Sequence, residues 1–177
     1  MNTALMKKQT DLEFDTRAFR DALGNFATGV TVITASDGER RVGVTVNSFN
    51  SVSLDPPLVL WSIGKKSGSF EVFKQAGFFG INILAADQIA ISNRFARGTS
   101  DDKYDGVKVH EGAGGCLLLP DASANLQCQT HEVLDGGDHW IFIGRVLALH
   151  SSGRSPLLYH KGAYSTVSPH PDVETSK

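Results

Sequence analysis

The chain predicts a mainly β fold with a few short helices, built as a closed or nearly closed antiparallel barrel. Three observations point there. Short β-branched or apolar runs recur at regular spacing and are punctuated by 18 glycines in 177 residues, which is the pattern of a meandering antiparallel sheet. Ala124 to Val133 and His139 to His150 are long strand candidates joined by Leu134-Asp-Gly-Gly-Asp138, a stretch with hairpin turn chemistry. Helical periodicity is confined to three brief segments, and no alternation of strands with long helices suggests a doubly wound sheet.

Taken in order, residues 1–14 lack pattern and are expected to form a flexible segment, with one domain over 15–167 and a flexible tail over 168–177. Asp15-Thr16 can cap a helix whose Phe19, Ala22, Leu23 and Phe26 recur at helical spacing. That helix is expected to lie on the sheet. Val30 to Ala35 and Arg41 to Asn47 read as paired strands around the turn Ser36-Asp-Gly-Glu39. The next stretch, Gly43-Val-Thr-Val-Asn-Ser-Phe-Asn-Ser-Val-Ser-Leu-Asp-Pro-Pro-Leu58, begins as a strand and ends as a polar loop. Val42, Val44 and Val46 form one face, while Gly43, Thr45 and Asn47 form a small, hydrogen-bonding one. The density of Asn and Ser from Asn47 to Ser53 suits a polar planar ligand, but equally an ordinary serine-rich turn.

Leu58 to Ile63 is an apolar strand, and Gly64-Lys-Lys-Ser-Gly-Ser69 then leads into a helix carrying Phe70 and Phe73. A strand-to-helix junction with two lysines is a candidate anion site. Phe78 to Leu84 reads as a strand, and Asp87 to Ala96 as a helix with Ile91 and Phe95 one turn apart. Arg97 to Lys103 is a charged excursion, followed by short runs at Val107 to His110 and Cys116 to Leu119, and brief strands at Pro156 to Tyr159 and Tyr164 to Val167 close the chain.

Composition narrows the chemistry. Hydrophobic residues make up 41% and charged ones 20%, with a net charge of -2, so the basic surface that nucleic acid requires is missing. Only Cys116 and Cys128 are present and neither belongs to a C-x-x-C. A reducing cytoplasm is therefore expected, without a metal site. No apolar run approaches membrane-spanning length, and the first residues lack the apolar core of a secretory signal. There is no G-x-G-x-x-G after a strand, no P-loop, no G-x-S-x-G and no H-E-x-x-H.

Several stretches together resemble the short flavin reductases, the NAD(P)H-dependent reductase components of two-component flavin monooxygenases. They are Phe19 to Thr34 (an opening helix and first strand), Gly43 to Leu58, Ile81-Asn-Ile-Leu84, Gly137-Asp-His139 and Pro156-Leu-Leu-Tyr-His-Lys-Gly-Ala-Tyr164. The resemblance implies a flavin-binding split β-barrel working as a homodimer. It places Thr45, Val46, Asn47 and Ser48 along the isoalloxazine of FMN or FAD, with Ser51 and Val52 continuing around it. It also gives the phosphate to Lys66, Ser67 and Ser69, and the NADH or NADPH co-substrate to Phe95 and His139. Hydride would pass between the two cofactors without a catalytic side chain, and the reduced flavin would go to an oxygenase that hydroxylates an aromatic compound. Two other readings of the same barrel remain: a pyridoxamine-phosphate-oxidase-like enzyme and a non-catalytic flavin carrier or sensor.

Overall fold

A computed structural model describes residues 15–97 and 100–172. The expected flexible segment 1–14 lies outside the described residues, as do residues 173–177 of the expected tail. In chain order the elements are α1 (Thr16–Leu23), β1 (Thr28–Gly29), β2 (Thr31–Ser36), β3 (Arg41–Val46), β4 (Asn50–Leu54), β5 (Pro57–Gly64), α2 (Phe70–Ala76), β6 (Phe78–Ile83), α3 (Ile89–Ala96), α4 (Ser100–Lys103), β7 (His110–Glu111), β8 (Leu117–Leu118), β9 (Ala124–Gly136), β10 (His139–Ser151), β11 (Leu158–His160) and β12 (Ala163–Ser165). The mainly β architecture with few helices is as expected from the sequence.

Seven strands form one antiparallel sheet in the order β3-β2-β6-β9-β10-β5-β4. The predicted β2–β3 and β9–β10 hairpins are both present. At the tip of the second, Gly137 takes φ +85, a left-handed conformation that glycine adopts without a side-chain clash. The sheet does not close by a ladder: among the described residues β3 pairs only with β2. Instead Ser48, just past β3, bridges to β5. Its hydroxyl donates to the Ser62 carbonyl (3.3 Å) and accepts from the Ser62 N–H (2.9 Å).

The core lies inside this curl. β5 alternates, burying Val59, Trp61 and Ile63. Trp61 stacks on Phe142 at 4.7 Å between centroids and meets Phe73 edge-on at 4.8 Å and Phe79 at 5.7 Å. Each such side chain contributes about 1.5–3 kcal/mol by leaving water. Among the buried polar residues, Asn82 makes the most connections. Asn82, fully buried on β6, donates to the Val32 carbonyl (2.9 Å) and accepts from the Leu119 N–H and the Asn125 amide (both 2.8 Å). It ties β6 to β2, to β9 and to the segment that follows β8.

Three expectations need correction. α1 is capped by Asp15 as foreseen, but it does not lie on the sheet: none of its residues is buried, and Phe19 and Leu23 are more than half exposed. The polar run after Ser48 is not all loop. Asn50–Leu54 forms β4, an edge strand paired with β5 on one side, so its Ser and Asn side chains can stay solvated. Within the charged excursion, Ser100–Lys103 makes a helical turn that ends in a buried lysine.

Candidate functional site

The open side of β3 becomes a groove. An edge strand leaves alternate main-chain donors and acceptors unpaired, and here the first of them are taken by α4 and its neighbour. The Tyr104 hydroxyl donates to the Val42 carbonyl (2.7 Å), and Lys103 Nζ donates to the Gly43 carbonyl (3.0 Å). From Val44 to Ser48 the edge is open and lines a groove of about 650 Å³, within the size range of small-ligand sites, roughly 300–1,000 Å³. Its opposite wall is Ser62, Ile63, Gly64, Ser67, Gly68 and Ser69, and its ends carry Phe95, Ala96, Lys103 and His139.

Each wall is fixed by a local device. The Thr45 hydroxyl donates to the Ser92 carbonyl (2.7 Å), which holds α3 against β3. Phe95 is 1% exposed and lies directly over Gly43, where an added Cβ would stand 2.4 Å from its ring. It also meets Tyr104 edge-on at 5.1 Å. Phe95 is thus core and groove wall at once. The Gly64–Ser69 turn is closed by Ser67 N–H to the Gly64 carbonyl (2.9 Å) and by Ser69 N–H to the Ser67 hydroxyl (3.3 Å).

The β9–β10 tip docks on the same turn. Lys65 N–H donates to the Asp138 carbonyl (2.9 Å), while its ammonium pairs with Asp135 (2.5 Å) and sits 4.7 Å from the centre of the Trp140 ring. The Lys65 hydrogen bond holds the Asp135 carboxyl below the usual carboxylate range. His139 pairs with Gly64 across the ladder and contacts Asp138 through Nδ1 (2.7 Å), which depresses the Asp138 pKa. A Cβ on Gly64 would come within 3.9 Å of His139 Nε2. The imidazole therefore stands at the groove mouth, beside Gly64.

Of the residues singled out in the sequence, the structure brings Thr45, Val46, Asn47, Ser48, Ser67, Ser69, Phe95 and His139 to this one groove. Ser51 and Val52 stand on the exposed strand β4, and Lys66 on the exposed turn; none of the three is in the lining. Ser62 and Lys103 line it without having been singled out, and Gly64 and Gly68 of the candidate anion junction line it too. Among the residues whose side chains are described, no Asp or Glu lines it. What it offers is a main-chain edge, an amide, several hydroxyls, one imidazole and one ammonium, a set suited to holding a polar planar ring with an anionic tail. The Ser48 hydroxyl is committed to Ser62 rather than to a base, so the arrangement binds and orients rather than supplying a nucleophile. A second concavity of about 820 Å³ lies between α1 and the Tyr159–Gly162 turn and shares Asn47 with the first.

Residues 23–168 match the family model described as the flavin reductase like domain. The chain is 46% identical to the FMN reductase (NADH) SmoA of Agrobacterium fabrum, over 87% of each chain. It is likewise 46% identical to the reductase component of the flavin-dependent trigonelline monooxygenase of Acinetobacter baylyi, over 85% of this chain and 48% of that protein. It spans about half the length of two of the curated relatives it matches. The structure of the Streptomyces globisporus C-1027 NADH:FAD oxidoreductase SgcE6, in complex with NAD and FAD fragments, superposes with a TM-score of 0.83 at 36% identity, covering 89% of this chain and 96% of that one.

Proposed function

Because the chain belongs to the flavin reductase like domain family, we propose that it is an NAD(P)H-dependent flavin reductase whose domain spans residues 15–167. It reduces FMN or FAD and supplies the reduced flavin to a partner oxygenase that hydroxylates an aromatic compound. The observation that carries this reading is the β3 edge, open from Val44 to Ser48 and facing the small-residue turn Gly64–Ser69 across one groove. When bound, flavin supplies the two-electron acceptor that the side chains lack.

The residues bind and orient. Main-chain groups of Thr45, Val46 and Ser48 and the Asn47 amide address the polar rim of the ring, with Ser51 and Val52 beyond them on β4. Ser67 and Ser69 receive the phosphate together with Lys66, whose ammonium has no ion-pair partner among the described residues, whereas Lys65 is held by Asp135. Phe95 and His139 bracket the nicotinamide nucleotide. Phe95 excludes water as part of the wall, and His139 can fold over from the mouth. Holding reactants at near-attack distance supplies most of what such a site must contribute.

The functional unit is a homodimer, a reading supported by the exposed Phe19, Leu23 and Phe26 of α1 and the turn after it, which are 51%, 58% and 74% exposed. Two buried free cysteines fit a reducing cytoplasm. Among the described residues no helix is long and apolar enough to cross a membrane.

The test is NADH consumption by the purified chain with and without added FMN, FAD and riboflavin. Flavin-dependent turnover is expected. Flavin binding without NADH oxidation would leave a carrier, and no flavin binding would end the reading.

A further inference from the structure

Lys103 has surroundings that are unusual for a lysine. It ends α4 at the Phe95 end of the groove, is 8% exposed, and lines the groove wall. Its Nζ donates to two main-chain carbonyls, those of Gly43 (3.0 Å) and Phe95 (3.2 Å), so two of three ammonium donors are used and the third has no partner among the described side chains. Neither partner carries a formal charge. Among the residues whose side chains are described, no carboxylate forms an ion pair with Lys103 and none lines the groove. A cation taken out of water without a counter-charge is costly to the fold, and burial alone lowers its pKa from the ordinary lysine value. Such a cation is well placed to meet negative charge that arrives with a ligand.

On the proposed reading, that charge is made in the groove. The C4–H bond of the reduced nicotinamide breaks and an N–H bond forms at flavin N5, with the hydride carrying two electrons. The nicotinamide becomes cationic, and a neutral flavin ring becomes an anion without taking up a proton. We propose that Lys103 is the fixed counter-charge for this reduced, anionic flavin ring, so that the groove binds reduced flavin more tightly than oxidised. The inference rests on the groove being the flavin site. It differs from phosphate binding, because the FMN phosphate is the same in both redox states and cancels in their comparison.

The other titratable groups on the elements around Lys103 are Arg41 on β3, Arg94 on α3 with Arg97 at its end, Asp101 and Asp102 on α4, Tyr104 beside it, and His139 with Asp138 at the far mouth. The Tyr104 hydroxyl is committed to the Val42 carbonyl, and Arg94 to the Asp105 carbonyl. All remain unchanged in the variants below.

Dissociation constants for oxidised FMN and for FMN reduced under anaerobic conditions should be measured in the wild-type chain, in Lys103→Gln, which keeps a donor but loses the charge, and in Lys103→Arg. The wild type is expected to prefer the reduced form. Lys103→Gln should lower that preference about tenfold or more, the size of effect an adjacent opposite charge has on an ionisation, and Lys103→Arg should retain most of it. An unchanged preference in Lys103→Gln, or equal weakening of both redox states, would overturn the proposal. If Lys103→Gln does not fold, the wild type alone decides by a pH titration of bound reduced FMN followed by absorbance. A nearby cation must lower the pKa of the bound ring below that of free reduced FMN, and a value equal or higher would contradict the assignment. Failure to bind FMN in either state would instead remove the flavin site itself.

Discussion

Gly43 is the residue on which the groove's inner end turns, and Gly43→Ala perturbs it with one methyl group. The added Cβ would stand 2.4 Å from Phe95 Cδ1 and Cε1 and 3.1 Å from the Tyr104 hydroxyl. Phe95 is 1% exposed, so its ring cannot swing into solvent without uncovering core. Overpacking of this kind costs about 1–3 kcal/mol, against which alanine in a strand recovers about 0.5–1 kcal/mol relative to glycine. A 2.4 Å approach to a buried ring puts the overpacking in the upper part of that range, so the net expectation is a loss of about 1–2 kcal/mol. For a chain of this length each kcal/mol moves Tm by about 2–4 °C, so thermal unfolding followed by circular dichroism should show a drop of about 2–8 °C. Because the strain is pairwise, Phe95→Leu in the Gly43→Ala background should cost less than the sum of the two single changes. A Gly43→Ala chain that melts at or above the wild type would refute the placement of Phe95 over β3.

Asn82→Ala should destabilise by about 3 kcal/mol or more in chemical denaturation, since it removes the Asn82 partner of the Val32 carbonyl and of the Leu119 N–H in the interior and leaves the half-buried Asn125 amide with only the Leu119 carbonyl; a loss under 1 kcal/mol would speak against that network. Lys66→Ala should weaken FMN by about 10- to 150-fold, the worth of a lost charge-assisted contact, and leave riboflavin nearly unaffected. Equal losses for both flavins in a titration would remove Lys66 from the phosphate. His139→Ala should raise the KM for NADH about 5- to 30-fold and spare both the flavin Kd and kcat at saturating NADH, because a residue that only holds the donor contributes to ground and transition states alike. Burial pushes the Cys116 thiol up to about 11 and Cys128 up to about 12, so neither should react with a thiol reagent at pH 8 until the chain is unfolded. A fast-reacting native thiol would show that one of these sites opens.

The hairpins were legible because their signals are local. Gly137 and Asp138 fix the β9–β10 turn, and the β-branched runs on either side of Ser36 to Glu39 are brought together by the short turn between them. The helical period of Phe19, Leu23 and Phe26 was equally clear, but a period reports that an apolar face exists, not which surface covers it. β4 was missed because an edge strand needs no apolar face of its own, and Asn50 and Ser51 have the composition of a turn. In the groove, Asn47, Ser48 and Ser69 stood out as short polar side chains next to strand ends. Lys103 did not, since nothing in a charged stretch marks the one lysine whose ammonium reaches the carbonyl of Gly43, a residue distant along the chain. Of the adjacent Lys65 and Lys66, only the pairing of β5 with β10 decides which is drawn to Asp135.

The central claim is that flavin lies along the open edge of β3, and amide chemical shifts recorded as FMN is added to the isotopically labelled chain test it most directly. The expected perturbations fall on Val44 to Ser48 and on Gly64 to Ser69, with smaller ones at Phe95 and His139. Shifts confined to Arg20 to Phe26 and Tyr159 to Gly162 would place the ligand in the concavity beside α1 and contradict the assignment of the groove.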